Sequence, residues 1–160
     1  MQKINIICVG KLKEKFYIDA AEEYKKRLSR SCSLIIDELP ESRLPSEPTP
    51  GDISRALEAE AKLIASRLPK GGAVVAMCVE GKEMTSEKLA EILSRMASGG
   101  LSQVTFIIGG SFGLSDNIKN IADIRLSMSQ MTFPHHMARV MLLEQIYRSF
   151  QILEGTKYHK

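Results

Sequence analysis

Gln103-Val104-Thr105-Phe106-Ile107-Ile108-Gly109-Gly110-Ser111-Phe112-Gly113-Leu114-Ser115-Asp116 is the stretch on which the fold turns. Its first half is a short apolar run of the kind that forms a strand buried on both faces. Glycines follow at once, and Ser115 or Asp116 then offers the side-chain oxygen that opens a helix. Strand, tight turn and helix in immediate succession form the building unit of an α/β protein.

The pattern repeats outward in both directions. Toward the C-terminus, Ile124 to Ser127 suits a fifth strand. A loop of hydroxyl and thioether side chains then runs to Pro134, which is expected at the first position of a final helix, where its missing N–H costs nothing. Gly155 suits that helix's far end. Toward the N-terminus, Gly99-Gly100 stops a helix that bears Leu89, Ile92, Leu93 and Met96 and is capped by Thr85 or Ser86. Residues 72–79 read as a third, fully apolar strand, after which Glu80-Gly81-Lys82 is expected to turn the chain. Residues 4–9 and 33–39 read as strands, and 15–30 as a helix with Phe16, Ala20, Tyr24 and Leu28 along one stripe. Pro40, Pro45, Pro48 and Pro50 make the next stretch a loop that cannot continue a sheet. Asp52 is expected as the N-cap of a helix carrying Ile53, Leu57, Ile64 and Leu68. The expectation is one α/β domain over residues 1–160, with a largely parallel sheet of five to six strands flanked by helices.

Bulk properties narrow the class. A chain of 160 residues is long enough for one real core. Hydrophobic content of 44% and charged content of 26% are those of an ordinary globular protein. No apolar run approaches the ~20 residues of a membrane span, and the N-terminus reads as a strand rather than a secretory leader. Cys8, Cys32 and Cys78 are odd in number and widely spaced, so buried free thiols in a reducing cytoplasm are expected. The net charge of +3, from 22 basic and 19 acidic residues, does not by itself announce a nucleic-acid binder. Lys11, Lys13 and Lys15 nevertheless follow the first strand, and Lys25, Lys26, Arg27 and Arg30 close the first helix. Gathered on one face they would meet phosphates; dispersed, they are a solvated helix end.

Several chemistries are excluded by their missing motifs. No Gly-x-x-x-x-Gly-Lys-[Ser/Thr] cradle is present, and Gly10 stands alone where a dinucleotide fingerprint needs three glycines. No Cys/His spacing suits zinc, so no metal is expected. No Gly-x-Ser-x-Gly elbow occurs. What remains is a pair of loops, the glycine turn after the fourth strand and Leu126 to Pro134, at the sheet edge where open α/β proteins bind ligands. In the second loop Ser127, Ser129 and Thr132 offer hydroxyls, and Met128, Met131 and Phe133 offer cover for a flat ring. The same spacing equally suits a helix-entry loop whose Met and Phe plug the core. A pocket without a phosphate cradle fits S-adenosyl-L-methionine, which carries an adenosine, a sulfonium and an amino-acid tail. Methyl transfer from it needs alignment above all, plus removal of a proton if the acceptor is a ring N–H.

Three segments carry a resemblance. Val75-Ala76-Met77-Cys78-Val79-Glu80-Gly81-Lys82, Phe106 to Gly113, and Leu126 to His135 resemble the ribosomal RNA large-subunit methyltransferase H family, as do Arg139, Glu144-Gln145-Ile146-Tyr147-Arg148 and Tyr158-His159. The resemblance covers the whole chain and departs from the family pattern at Met128 and Gln130. It implies the SPOUT class, with a C-terminal trefoil knot that patterning alone would not suggest. It also implies a cytoplasmic homodimer that uses S-adenosyl-L-methionine to methylate N3 of a pseudouridine in 23S rRNA of the assembled 70S ribosome. By the same resemblance Met77, Gly109, Met128, Ser129, Gln130, Met131, Thr132 and Phe133 would hold the cofactor, and His135 and Arg139 would be catalytic. Tyr158 and His159 would meet the target nucleotide or nearby RNA. Lys11 and Lys13, from the charge placement after the first strand, are expected as further RNA contacts. A ribosome-binding module without catalysis is the alternative from another class, and a nucleotide-binding oxidoreductase a third.

Overall fold

The computed structural model describes all residues from Met1 to Lys160. In chain order the elements are β1 (Gln2–Val9), α1 (Lys15–Leu28), β2 (Cys32–Leu39), α2 (Pro50–Arg67), β3 (Ala73–Glu83), α3 (Ser86–Ser98), β4 (Gln103–Ile108), α4 (Asp116–Ile121), β5 (Ile124–Ser127) and α5 (His135–Leu153). The strands form one sheet in the order β2-β1-β4-β3-β5, and every pairing is parallel. Five strands with helices between them is the architecture the patterning predicts.

The apolar runs are continuous because both faces of the sheet are covered. Ile4, Ile6 and Cys8 of β1 point with Val104, Phe106 and Ile108 of β4 into the larger core, where Leu142, Leu143 and Ile146 of α5, Leu89 and Leu93 of α3 and Ala21 and Leu28 of α1 meet them. Ile7, Val9 and Ile107 point the other way, onto Ala61 and Ile64 of α2 and Ile118 of α4. The alternation along β1 and β4 thus divides the molecule into three layers, with α1, α3 and α5 on one side and α2 and α4 on the other.

Several local expectations are revised. Asp52 is not the N-cap of α2: Thr49 is, accepting the Asp52 N–H at 3.1 Å while the Asp52 carboxylate accepts the Thr49 N–H at 2.9 Å. A reciprocal box of this kind puts the acid at the third helical position and lets Pro50 take the first. Pro134 is likewise the residue before α5 rather than its first member. The expected stripe on α1 fails at Phe16, which is 65% exposed, because Ala21 and Leu28 carry that helix's buried contacts. Glu80-Gly81-Lys82 does not end β3. The ladder to β5 breaks between Met77 and Lys82, both of which lie opposite Leu126, and resumes with Glu83 opposite Ser127. Residues 78–81 therefore bulge out of the sheet at its C-terminal edge.

Cys8 and Cys32 are buried, Cys78 is half-buried and all three are free. Burial pushes the Cys8 thiol to about 12 and the Cys32 thiol to about 11, so neither forms a thiolate near neutral pH. No helix is long and apolar enough to cross a membrane.

Candidate active site

Three segments converge where the parallel strands end: the bulge of β3, the turn after β4 and the loop between β5 and α5. They enclose a cavity of about 390 Å³. Met77, Gly109, Met128, Ser129, Met131, Thr132, Phe133 and His135 all line it. Gln130 does not, and neither do Arg139, Tyr158, His159, Lys11 or Lys13. The sheet edge is where a doubly covered α/β fold leaves main-chain groups unpaired, so the topology itself puts the cavity there.

The glycine turn is held from two sides. Gly113 donates its N–H to the Gly110 carbonyl at 3.1 Å, closing the turn. Ser111 donates both its N–H, at 3.0 Å, and its hydroxyl, at 2.9 Å, to Glu41 Oε1. Burial alone would push the Glu41 carboxyl up, but these two hydrogen bonds and the nearby His135 and His136 outweigh it and hold the carboxyl low. A Cβ on Gly109 would stand 2.2 Å from the Gly113 carbonyl oxygen. The absence of a side chain there is required by the turn's own closure. Glu41 lies in the proline-rich connection, which sequence reading treats as a plain linker, so its contact with residue 111 has no local signal.

In the second loop the hydroxyls shape the backbone. Ser127 Oγ donates to the Ser129 carbonyl at 2.9 Å, and Ser129 Oγ accepts the Met131 N–H at 3.0 Å. Both hydroxyls are engaged within the loop, and Ser129 Oγ, which only accepts there, keeps its own hydrogen free to donate. On the wall of the cavity the ionisable groups include Glu80 and Lys119, which form an ion pair, and His135.

His135 Nε2 is buried with no hydrogen-bond partner. Burial pushes the imidazole below its ordinary 6.5, and the neighbouring His136 acts in the same direction against Glu41. The two rings pack at 4.1 Å between centroids, against the backbone of Gly10. Gly10, at φ +98°, turns the chain as β1 ends, and a Cβ there would lie 3.3 Å from His135 Nε2.

Arg139 lies one turn further along α5, yet its guanidinium points away from the cavity. It is 2% exposed and donates to Glu38 Oε2 at 2.5 Å and to the Gly10 carbonyl at 2.9 Å. Glu38 Oε2 also accepts the Leu12 N–H at 3.1 Å. The ion pair is buried on the Arg139 side, and its work is to fix the Gly10–Lys13 segment. Lys11 and Lys13 are exposed on that segment and form no ion pair.

The C-terminal tail is tied down and not frayed. Tyr158 Oη donates to Glu144 Oε2 at 2.9 Å, its ring meets Tyr147 at 4.9 Å, and the Arg148 guanidinium lies 4.7 Å above it. A ring nitrogen of His159 is 2.8 Å from Glu87 Oε1 on α3. This clasp lies away from the chain's own cavity.

The sheet, its edge cavity and the two loops that frame it are those of a methyltransferase of the SPOUT class. The family model described as "Predicted SPOUT methyltransferase" matches residues 2–159. A Clostridium perfringens (strain SM101) protein named ribosomal RNA large subunit methyltransferase H 1 is 46% identical over 157 residues, covering 98% of this chain and 99% of its own. A Methanococcus maripaludis (strain C5) protein carrying the methyltransferase H name provisionally is 50% identical with the same coverage. Among solved structures, methylase family proteins from Haemophilus influenzae Rd KW20 and Neisseria gonorrhoeae each superpose with a TM-score of 0.54. The first covers 98% of this chain and 70% of its own at 14% identity, the second 90% and 81% at 15%, so they speak to the fold alone. The chain belongs to the ribosomal RNA large subunit methyltransferase H family.

Proposed function

We propose that this protein transfers a methyl group from S-adenosyl-L-methionine to N3 of a pseudouridine in 23S rRNA, acting in the cytoplasm on the assembled 70S ribosome. The observation that carries the reading is the strand-end cavity bounded by the glycine turn and the Met128–Phe133 loop, in a chain that matches relatives named for rRNA methylation over almost its full length.

The residues present suit the cofactor. About 390 Å³ admits a nucleoside-sized ligand. Met77, Met128 and Phe133 give apolar walls for a flat ring, and the Gly109 turn brings main-chain groups close. Glu80 and Lys119 match the two opposite charges of an amino-acid tail. When bound, the cofactor supplies an electrophilic methyl group on a sulfonium. The protein's share is to exclude water, aim the acceptor and take up its proton. His135 is the group we assign to the proton, because its imidazole is held neutral and its Nε2 has no partner within the chain. Arg139 we assign as a positioning residue that sets the Gly10 turn against His135.

The same reading accounts for the tail. Tyr158 and His159 do not line their own subunit's cavity and are clasped to Glu144 and Glu87, which supports a homodimer in which each tail serves the other's site. The threaded, knotted C-terminal third expected of the family is part of the same reading and rests on the family match. The continuous five-stranded sheet supports a single domain over residues 1–160.

Labelled methyl transfer to ribosomes from cells lacking the protein tests the proposal, with mass analysis of the 23S rRNA to locate the product. Cofactor binding without methylated RNA would favour a non-catalytic ribosome-binding module.

A further inference from the structure

Met131, Phe112 and Val79, which are 75%, 48% and 47% exposed, share the cavity lining with Ile108, Leu114 and Leu126, which are buried. The contrast separates a floor from a rim. A buried floor is enough for a ligand that sits inside. Three large apolar groups together leave much of their surface in water on the rim, and Phe112 packs against no other ring of the chain.

Phe112 is also rigidly presented. It stands between Ser111, which is doubly bonded to Glu41, and Gly113, whose N–H closes the turn. A methyl acceptor cannot enter through the sheet that forms the floor, so it passes the rim. Glu41 reaches from this turn toward Gly10, so one side chain ties the turn that carries Phe112 to the end of β1. An exposed apolar ring at the mouth that the acceptor must pass suits one class of occupant, an unstacked nucleobase.

We propose that Phe112, with Met131 on the same rim, is the platform on which a base of the RNA stacks at the mouth of the cavity. The inference deepens the methyltransferase reading and rests on it. A base presented for chemistry must leave its helix, and a fixed aromatic face recovers the stacking it loses.

The chain contains no tryptophan, so Phe112→Trp introduces a single fluorescent reporter on an exposed turn. Its emission is expected to be quenched by an RNA stem-loop with uridine in its loop and to be unchanged by S-adenosyl-L-methionine alone. Phe112→Ala is expected to raise the KM for ribosomes by about 10-fold, the scale of one lost base–aromatic stack, while cofactor Kd by calorimetry stays at the wild-type value. Quenching by the cofactor alone would overturn the proposal, because the ring would then cover the donor. So would an unquenched reporter together with a wild-type KM in the alanine variant. Loss of cofactor heat in the wild-type protein would instead remove the methyltransferase reading, while RNA quenching would still report the platform.

Discussion

Single side chains decide whether the cavity can do chemistry. Burial holds His135 below 6.5, so its imidazole stays neutral to a lower pH than a free one. The methyl-transfer rate should therefore fall on the acid side with a midpoint below 6.5, and His135→Ala should remove that limb of the pH profile along with most of the rate. Glu38 behaves as a structural acid. Its own burial would raise its pKa, but the hydrogen bonds from Arg139 and the Leu12 N–H and the charge of Arg139 bring it below the ordinary 4.5. Its contribution to stability is complete above that value and is lost as pH falls through the depressed one. Glu38→Ala leaves the Arg139 guanidinium buried without its carboxylate and should cost about 1–3 kcal/mol, read from the urea midpoint at neutral pH. The motif around Arg139 was legible in the chain, but its partner was not. Nothing local ties residue 38 to residue 139; only the parallel pairing of β1 with β2 carries Glu38 under α5.

Elements show the same division. Strand positions were readable because a parallel sheet covered on both faces demands unbroken apolar runs, and β1, β3 and β4 supply them. Helix ends were readable to within a few residues, and the errors have physical causes. Asp52 has the right chemistry for a cap and a better use three positions in, where it returns a hydrogen bond to Thr49. Thr49→Ala should lower stability by about 1 kcal/mol, measured by thermal or urea unfolding, through loss of that reciprocal pair. The bulge of β3 was not readable, because Glu80-Gly81-Lys82 has the composition of a turn whether or not the strand resumes. Glu41 is the element-scale link between the proline-rich connection and the glycine turn. Glu41→Ala frees Ser111 of both its hydrogen bonds and should weaken cofactor binding by about 10-fold in calorimetry, with little change in overall stability.

Across the whole molecule, the tail and the cavity occupy different sides of α5. If each tail serves a neighbouring subunit, a variant lacking residues 158–160 and a His135→Ala variant should each be inactive alone. Mixed and re-equilibrated, they should recover part of the activity, since one subunit of a mixed pair keeps an intact cavity facing an intact tail. No recovery in a mixture shown by light scattering to exchange subunits would make the tail's clasp on Glu87 and Glu144 a purely structural feature. Neither the clasp nor the separation was legible beforehand, because Tyr158-His159 is too short to show periodicity and its partners lie on two helices distant in sequence.

Because all five strands run the same way, the first residue of β1 emerges at the pole of the molecule opposite the reactive opening. A purification handle or a surface anchor joined at Met1 would hold the protein by its back. An immobilised enzyme built that way should meet a particle as large as a ribosome with its working face outward, whereas a fusion at Lys160 would crowd the very residues that close over α5.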